Sequence, residues 1–334
     1  MVFLKRTLRR DEEGVASTVG TIMALLVFLT FMSLMVNQYV PVWQKDTEAS
    51  HMNGALGQFG HLKQAVDMQI LAARIAQDSG TPYIPITSSS PVTLGVDGVP
   101  IFGSPTPGEL RAEPNAGAWS VEFEYVVSGV RYRVQEAASG VIELNVANRY
   151  YMAQRLAYEN GAVLRDQIDG QVVRGLPVFE PILVENSLDL SFQLVSLYGS
   201  GGLTGTSTEI IHSKLFGLDR QDYTGVASAI WVNHTTRYGL AWYSFLNATL
   251  ARSLGISSGS YTRVGNPTTT LLIEFIGRVS GVDAYRVRAT FDPATDMYLL
   301  ALEVYQDAYP IRAFRLLHAY VQIGIGEATE GLRN

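Results

Sequence analysis

A run of 31 residues without a charge, 14–44, limits what this chain can fold into more than any other feature. Its most apolar stretch, 15–36, reads VASTVGTIMALLVFLTFMSLMV. As a helix it spans about 33 Å, enough to cross a hydrocarbon core of roughly 30 Å. A secretory signal that is cut away has an apolar part of only about 7–15 residues and small residues at its far end. Here the run leaves through Asn37-Gln38-Tyr39-Val40-Pro41-Val42-Trp43, so removal at that end is not expected. The pattern predicts a retained transmembrane helix over 15–40, with the lipid bilayer as its partner.

The flanks predict the orientation. Lys5, Arg6, Arg9 and Arg10 sit in a short basic leader, 1–14, which the positive-inside rule keeps in the cytoplasm. Tyr39 and Trp43 suit the outer interface, where a ring can lie at headgroup level with its polar atom wetted. The expected localisation is a single-pass cell-membrane protein with its C-terminal part outside. Composition agrees: a formal net charge of -6 and a pI near 5.4 leave no concentrated basic surface for nucleic acid. The chain has no cysteine, which excludes disulfides, a thiol nucleophile and zinc–thiolate sites.

The order of basic leader, acidic residues 11–13, Gly14 and uninterrupted apolar helix resembles the class III signal of archaeal type IV pilin-like and membrane-anchored surface proteins. That resemblance implies cleavage between Gly14 and Val15 by a prepilin peptidase. It also implies self-association, or association with other pilin-like subunits, through the N-terminal helix. Glu13 stands where archaeal peptidases often favour a basic residue, and Val19 is the fifth residue of the implied mature chain, where bacterial pilins carry glutamate. Without the cut the same segment is a type II anchor of the same topology.

Beyond the membrane, Met52, Leu56, Phe59, Leu62, Val66, Ile70 and Ala73 recur at spacings of three and four. They predict an amphipathic helix over 41–80, kinked at Pro41 and ending near Asp78-Ser79-Gly80-Thr81-Pro82. Gly54, Gly57 and Gly60 weaken that helix but let another backbone approach, and no strand precedes them to make a dinucleotide fingerprint. Seven of the thirteen prolines fall in 82–114, so 81–118 reads as an extended, exposed segment with one short edge strand at 92–96.

A β-rich head is expected over 119–334. In VEFEYVVSGVRYRV a two-residue Ser128-Gly129 turn sets Val127 opposite Val130, Tyr125 opposite Tyr132, Phe123 opposite Val134 and Glu124 opposite Arg133. EFIGRVSGVDAYRVRATF repeats the device at Ser280-Gly281, with Arg278 opposite Asp283. Further strands are expected at 141–146, 188–197, 226–232, 297–305 and 315–325, and a helix at 242–254. The fold class is α+β: a long N-terminal helix, half transmembrane and half amphipathic, then a mainly antiparallel sandwich-like head with one or two helices. The stretch IELNVANRYYMAQRLAYENGAVLRDQIDGQVVRGLPVF is similar to the head region of archaeal membrane-anchored, pilin-like proteins, a resemblance that implies no catalytic role. Glu159-Asn160-Gly161 within it reads as a turn between strands.

No motif for chemistry stands out. His51, His61, His212, His234 and His318 have no metal-ligand spacing, and GTSTE at 205–209 lacks the closing glycine of a hydrolase elbow. YGSGGLTGTS at 198–207 lacks the lysine of a phosphate loop and reads as a flexible surface loop. DQIDG and DPATD read as turns rather than calcium loops. No catalytic residue, metal or cofactor is expected. Asn233-His234-Thr235 and Asn247-Ala248-Thr249 are N-glycosylation acceptors, and Asn233, expected to enter a turn, is the better candidate. Three readings follow. The first is a non-enzymatic surface protein of pilin-like organisation, a minor or tip pilin or an anchored monomer, in adhesion or surface assembly. The second is a tethered extracellular enzyme or ligand-binding domain, which would gather His212, His234 or Asp219 and Asp222 in one place. The third is a subunit of a membrane complex whose partner covers the 52–73 stripe.

Overall fold

The computed structural model describes residues 3–98 and 103–326, with side chains from Val15 onward. The side chains of Arg9 and Arg10 therefore lie outside the described residues, as does Pro100 of the proline-rich segment. One helical rod runs from the leader to Asp78. It consists of α1 (Phe3–Leu34), a π-helical turn (Met35–Tyr39) and α2 (Val40–Asp78). The turn has a local cause. Pro41 has no N–H to give the preceding turn and its ring crowds the carbonyl four residues back, and a widened turn just before it absorbs both effects.

The apolar window of this rod has none of its residues buried, so it is not the core helix of a soluble domain. Val15, Ile22, Val27, Phe28 and Phe31, on different sides of α1, are all more than half exposed. Its polar side chains turn back onto their own helix: Thr21 Oγ1 donates to the Ser17 carbonyl at 2.9 Å, Thr30 Oγ1 to Leu26 at 2.7 Å, and Asn37 Nδ2 to Ser33 at 2.8 Å. Polar groups in lipid need such internal partners. The rod is long and apolar enough for a single membrane span.

From Val40 the helix changes environment. Val40, Gln44, Glu48, Met52, Ala55, Phe59, Leu62, Val66, Gln69, Ile70 and Ala73 are buried on one face. The 52–73 stripe is thus covered by the chain's own head rather than left for a partner, and Leu56 is only partly buried. Phe59 and Leu62 are completely buried, and such side chains contribute about 1.5–3 kcal/mol each. The helix stops where expected. Gly80 takes φ +65°, its N–H donates to the Gln77 carbonyl at 3.1 Å, and the Thr81 N–H donates to Ala76 at 2.9 Å, the paired bonds of a Schellman end.

The head begins with β1 (Thr87–Thr93), β2 (Gly108–Glu113), β3 (Ala118–Val127), β4 (Val130–Ala138), β5 (Val141–Val146) and β6 (Gln154–Glu159). It continues through β7 (Ala162–Gln167), β8 (Gly170–Gly175), β9 (Phe179–Val184), β10 (Ser187–Tyr198), β11 (Gly201–Gly205), β12 (Thr208–Thr224) and β13 (Ile230–Thr236). After α3 (Gly239–Ser253) come β14 (Gly259–Asn266), β15 (Thr270–Val279), β16 (Val282–Asp292), β17 (Met297–Val304) and β18 (Ile311–Ile325). Three sheets form, in the orders β1-β12-β18-β10-β9, β11-β2-β5-β6-β7-β8 and β14-β15-β16-β17-β13-β3-β4. Among the described strands only β10 and β18 pair in parallel.

The five-stranded sheet is shared between two cores. Leu190, Phe192 and Leu194 of β10 and Phe314 and Leu316 of β18 face the seven-stranded sheet and α3, meeting Trp119, Phe123 and Trp242. Val195, Leu197, Val321 and Ile323 face the other way, towards Phe59, Leu62 and Val66 of α2. Both hairpins keep the expected register, Val127 opposite Val130 and Arg278 opposite Asp283. In the first hairpin the ion pairs run diagonally rather than straight across: Arg131 reaches Glu124 at 2.9 Å and Arg133 reaches Glu122.

Several expectations need correction. The described residues of 81–118 hold two strands rather than one, and the edge strand expected at 92–96 runs over Thr87–Thr93. β1 is an edge strand paired to β12, which Pro91 tolerates there, β2 lies between β11 and β5, and Val92, Leu94 and Leu110 are buried. The glycine-rich loop at 198–207 contains β11, whose backbone is held by β2. The strand expected at 226–232 runs instead over Ile230–Thr236, and Val226 makes only an isolated bridge to Tyr125.

Candidate functional site

Where the rod enters the head, one carboxylate organises the junction. Glu48 is buried on α2, and its Oε1 accepts from Thr106 Oγ1 at 2.8 Å and the Arg149 N–H at 3.1 Å. Its Oε2 accepts from the Tyr150 and Tyr151 N–H groups at 2.9 and 2.7 Å. Three successive amides thus cradle one anion. Burial alone would raise the Glu48 pKa, but these donors outweigh it and hold the carboxyl below its ordinary value. Asn148-Arg149-Tyr150-Tyr151 is the asparagine and paired-tyrosine part of the stretch singled out in the sequence. Its role here is to grip the anchor helix through backbone amides. Tyr39 and Trp43 lie just before this junction, towards the apolar half of the rod, exposed, with ring centroids 6.2 Å apart.

Deeper in the head, His234 of β13 and Glu159 of β6 meet at 2.6 Å (Nε2 to Oε1), both side chains fully buried. Glu159 Oε2 accepts from Thr236 Oγ1 at 2.9 Å, and His234 Nδ1 lies 3.1 Å from the Ala118 carbonyl. A carbonyl can only accept, so this contact assigns a proton to Nδ1, while Nε2 and Oε1 lie at ion-pair distance without the alignment of a hydrogen bond. Trp119 stacks on the imidazole at 3.7 Å and Trp242 meets it edge-on. The space beside the pair, bounded by Glu143, Thr236, Arg237 and Tyr238, is about 50 Å³, room for a water or two. The arrangement fastens the six-stranded sheet to the seven-stranded one.

A third cluster lies where the seven-stranded sheet stops covering the five-stranded one. The inward face of β10 continues from Leu194 to Ser196 and Tyr198, and that of β18 from Leu316 to His318 and Tyr320. Ser196 Oγ is 2.8 Å from His318 Nε2, while His318 Nδ1 is 3.1 Å from the Tyr320 hydroxyl and 3.5 Å from Glu136 Oε2. The Tyr320 hydroxyl donates to Asp219 Oδ2 at 3.0 Å. Burial, then the Asp219 bond and charge, push this phenol up to about 12, so it stays protonated. Burial also lowers the His318 pKa, against the opposing effect of Glu136. Serine, imidazole and carboxylate in this order suit a nucleophile. Ser196 is only 5 % exposed, however, and its contact with His318 is buried, so the pair joins two parallel strands rather than presenting an attacking oxygen.

Beyond this buried pair the face opens to solvent. Tyr198 and Phe216 are 44 % and 50 % exposed, and Tyr320 lies between them with centroids 6.3 and 6.2 Å away. Phe216 projects because β12 carries a bulge there: Leu215 pairs with Val321 and Gly217 with Tyr320, leaving Phe216 unpaired. A Cβ on Gly217 would come within 3.1 Å of the Tyr320 ring, so glycine permits that ring to pack closely against β12.

Of the other residues singled out by sequence, Gly14 and Val15 lie within α1. Asn233 is exposed but sits mid-strand, between Ser120 of β3 and Ala301 of β17, not in a turn as expected. Asn247 lies on α3, where its Oδ1 accepts from the Tyr285 hydroxyl at 2.8 Å. His51 is tied to the Thr93 carbonyl at 3.0 Å, and His212 to Ser89 Oγ at 3.0 Å. Asp222 faces Arg220 and Arg315, apart from any histidine. Among the described residues no group of three or more histidine, aspartate or glutamate side chains could hold a metal ion. Comparison of the chain with protein families, with curated proteins and with solved structures found no match.

Proposed function

We propose that this chain is a non-enzymatic cell-surface protein of archaeal pilin-like organisation, anchored by α1 with its sandwich-like head outside the cell. The supporting observation is the change of environment within one rod. Its first part is apolar on every side with none of its apolar window buried, and its second is buried along one face in the head. The anchor and the head then move as one body, with Glu48 fixing the head directly above the outer interface. A role in adhesion or surface assembly is the reading that this placement supports. As a minor or tip pilin the apolar half would also meet neighbouring helices, and as a monomer it would meet lipid alone.

Mass spectrometry of the protein purified from its native membrane tests the processing implied at Gly14. The expected N-terminal residue is Val15, and a chain that begins at Met1 or Val2 would overturn cleavage. Electron microscopy of sheared surface fractions reads the assembly: filaments containing the chain support a pilus subunit, and its retention in the membrane pellet supports an anchored monomer.

A further inference from the structure

We infer that the open face of the five-stranded sheet, centred on Tyr198, Phe216 and Tyr320, is a binding surface for neutral oligosaccharides. The register sets out this face across four strands. Thr87 of β1, Lys214 of β12, Gln322 of β18 and Tyr198 of β10 lie in one row. Ser89 and His212 lie on one side of it, and Tyr320 and Asp219 on the other. Neighbouring strands are about 4.8 Å apart, so the four span about 14 Å, the scale of a short oligosaccharide rather than of one sugar ring.

The chemistry of the face selects this ligand. A pyranose presents C–H groups of partial positive charge on one side, which fit the negative face of an aromatic ring, and hydroxyls around its edge that both donate and accept. The protein supplies both needs side by side: three rings in mutual contact, surrounded by an amide, an imidazole, a hydroxyl and a carboxylate. Nucleic acid would want several cations, but Lys214 is the lone cation in these rows. A protein partner would be expected to bury aliphatic side chains, and the exposed aliphatic on this face of β12, Ile210, lies two residues beyond His212, at the end away from the rings. The ring geometry is fixed before any ligand arrives. The bulge drives Phe216 outward, Gly217 admits the Tyr320 ring, Asp219 holds its hydroxyl, and His318 stacks beside it at 4.2 Å. A rigid platform loses little entropy on binding.

This inference rests on the outward placement of the head for its biological setting, but its test does not. The full-length protein in lipid nanodiscs is exposed to immobilised neutral oligosaccharides built from glucose, galactose, mannose or N-acetylglucosamine, and to tetramethylammonium as a cation probe. At least one oligosaccharide series is expected to bind. Phe216→Ala and Tyr198→Ala, both at exposed positions, are each expected to weaken that binding by about tenfold. Circular dichroism and melting should match the unaltered protein. Absence of binding by any series up to about 10 mM would overturn the inference. So would binding unchanged in both variants, or binding of tetramethylammonium alone, which would make the face a cation site. Failure here leaves the anchored topology standing, because that is read by labelling on cells.

Discussion

Replacing Glu48 with alanine is expected to loosen the head from its anchor helix, at a cost of about 2–4 kcal/mol. The change removes the acceptor for the buried Thr106 hydroxyl and for three consecutive amides, 149–151, in a partly buried junction. Glu48→Gln keeps the shape but offers one acceptor oxygen and turns a donating NH₂ towards amides that also donate, so it should recover little. The measurement is urea unfolding of the purified protein in detergent, together with hydrogen exchange over 147–153, which should speed up in both variants. The pH dependence has a definite sign. Because the folded pKa of Glu48 is lowered, its contribution is complete above the ordinary carboxyl value and is lost as pH falls through the folded value. The unaltered protein should therefore lose junction stability on acidification, and Glu48→Gln should lack that step. Equal acid sensitivity in the two would contradict the cradle.

The second large effect is expected at the buried pair of Glu159 and His234. Glu159→Ala leaves the buried imidazole and the Thr236 hydroxyl without their carboxylate partner, and should cost about 3–5 kcal/mol. His234→Phe should be comparably harmful, since it strands the carboxylate. The double variant Glu159→Leu, His234→Phe removes both polar groups together and keeps the ring on Trp119. Compared with its own single variants, Glu159→Leu and His234→Phe, it should be more stable than the less stable of the two by at least about 1 kcal/mol. A strictly additive double variant would mean that the two groups do not act as a pair.

How much of this was legible in the sequence depended on distance along the chain. The hairpins at Ser128-Gly129 and Ser280-Gly281 were readable because turn chemistry and alternation act over a few residues, and Asn160-Gly161, with φ of 45° and 76°, behaves in the same way. The stripe on α2 was readable from its period, but Gln44, Glu48 and Gln69 were not. They share the buried face, yet a polar residue at such a position reads as solvated until its partners are known. For Glu48 these partners lie at 106 and 149–151, and for Gln69 at Ser213 and Leu215. The proline-rich segment reads as exposed extended chain and the glycine-rich stretch as a flexible loop because what orders them is a remote backbone, β12 for β1 and β2 for β11. The aromatic face was hidden for the same reason. Tyr198, Phe216 and Tyr320 are far apart in sequence, and only the parallel pairing of β10 with β18 and the bulge in β12 bring their rings together.

The account turns on the placement of the head outside a membrane that α1 crosses. The chain has no cysteine, so a single Ser258→Cys substitution, in the exposed loop between α3 and β14, gives one addressable thiol. Intact cells producing this variant are treated with a membrane-impermeant maleimide, and their membranes are then washed with alkaline carbonate. The account predicts full labelling before lysis and a labelled chain that stays in the membrane pellet. Labelling only after lysis, or release of the chain into the carbonate wash, would contradict it.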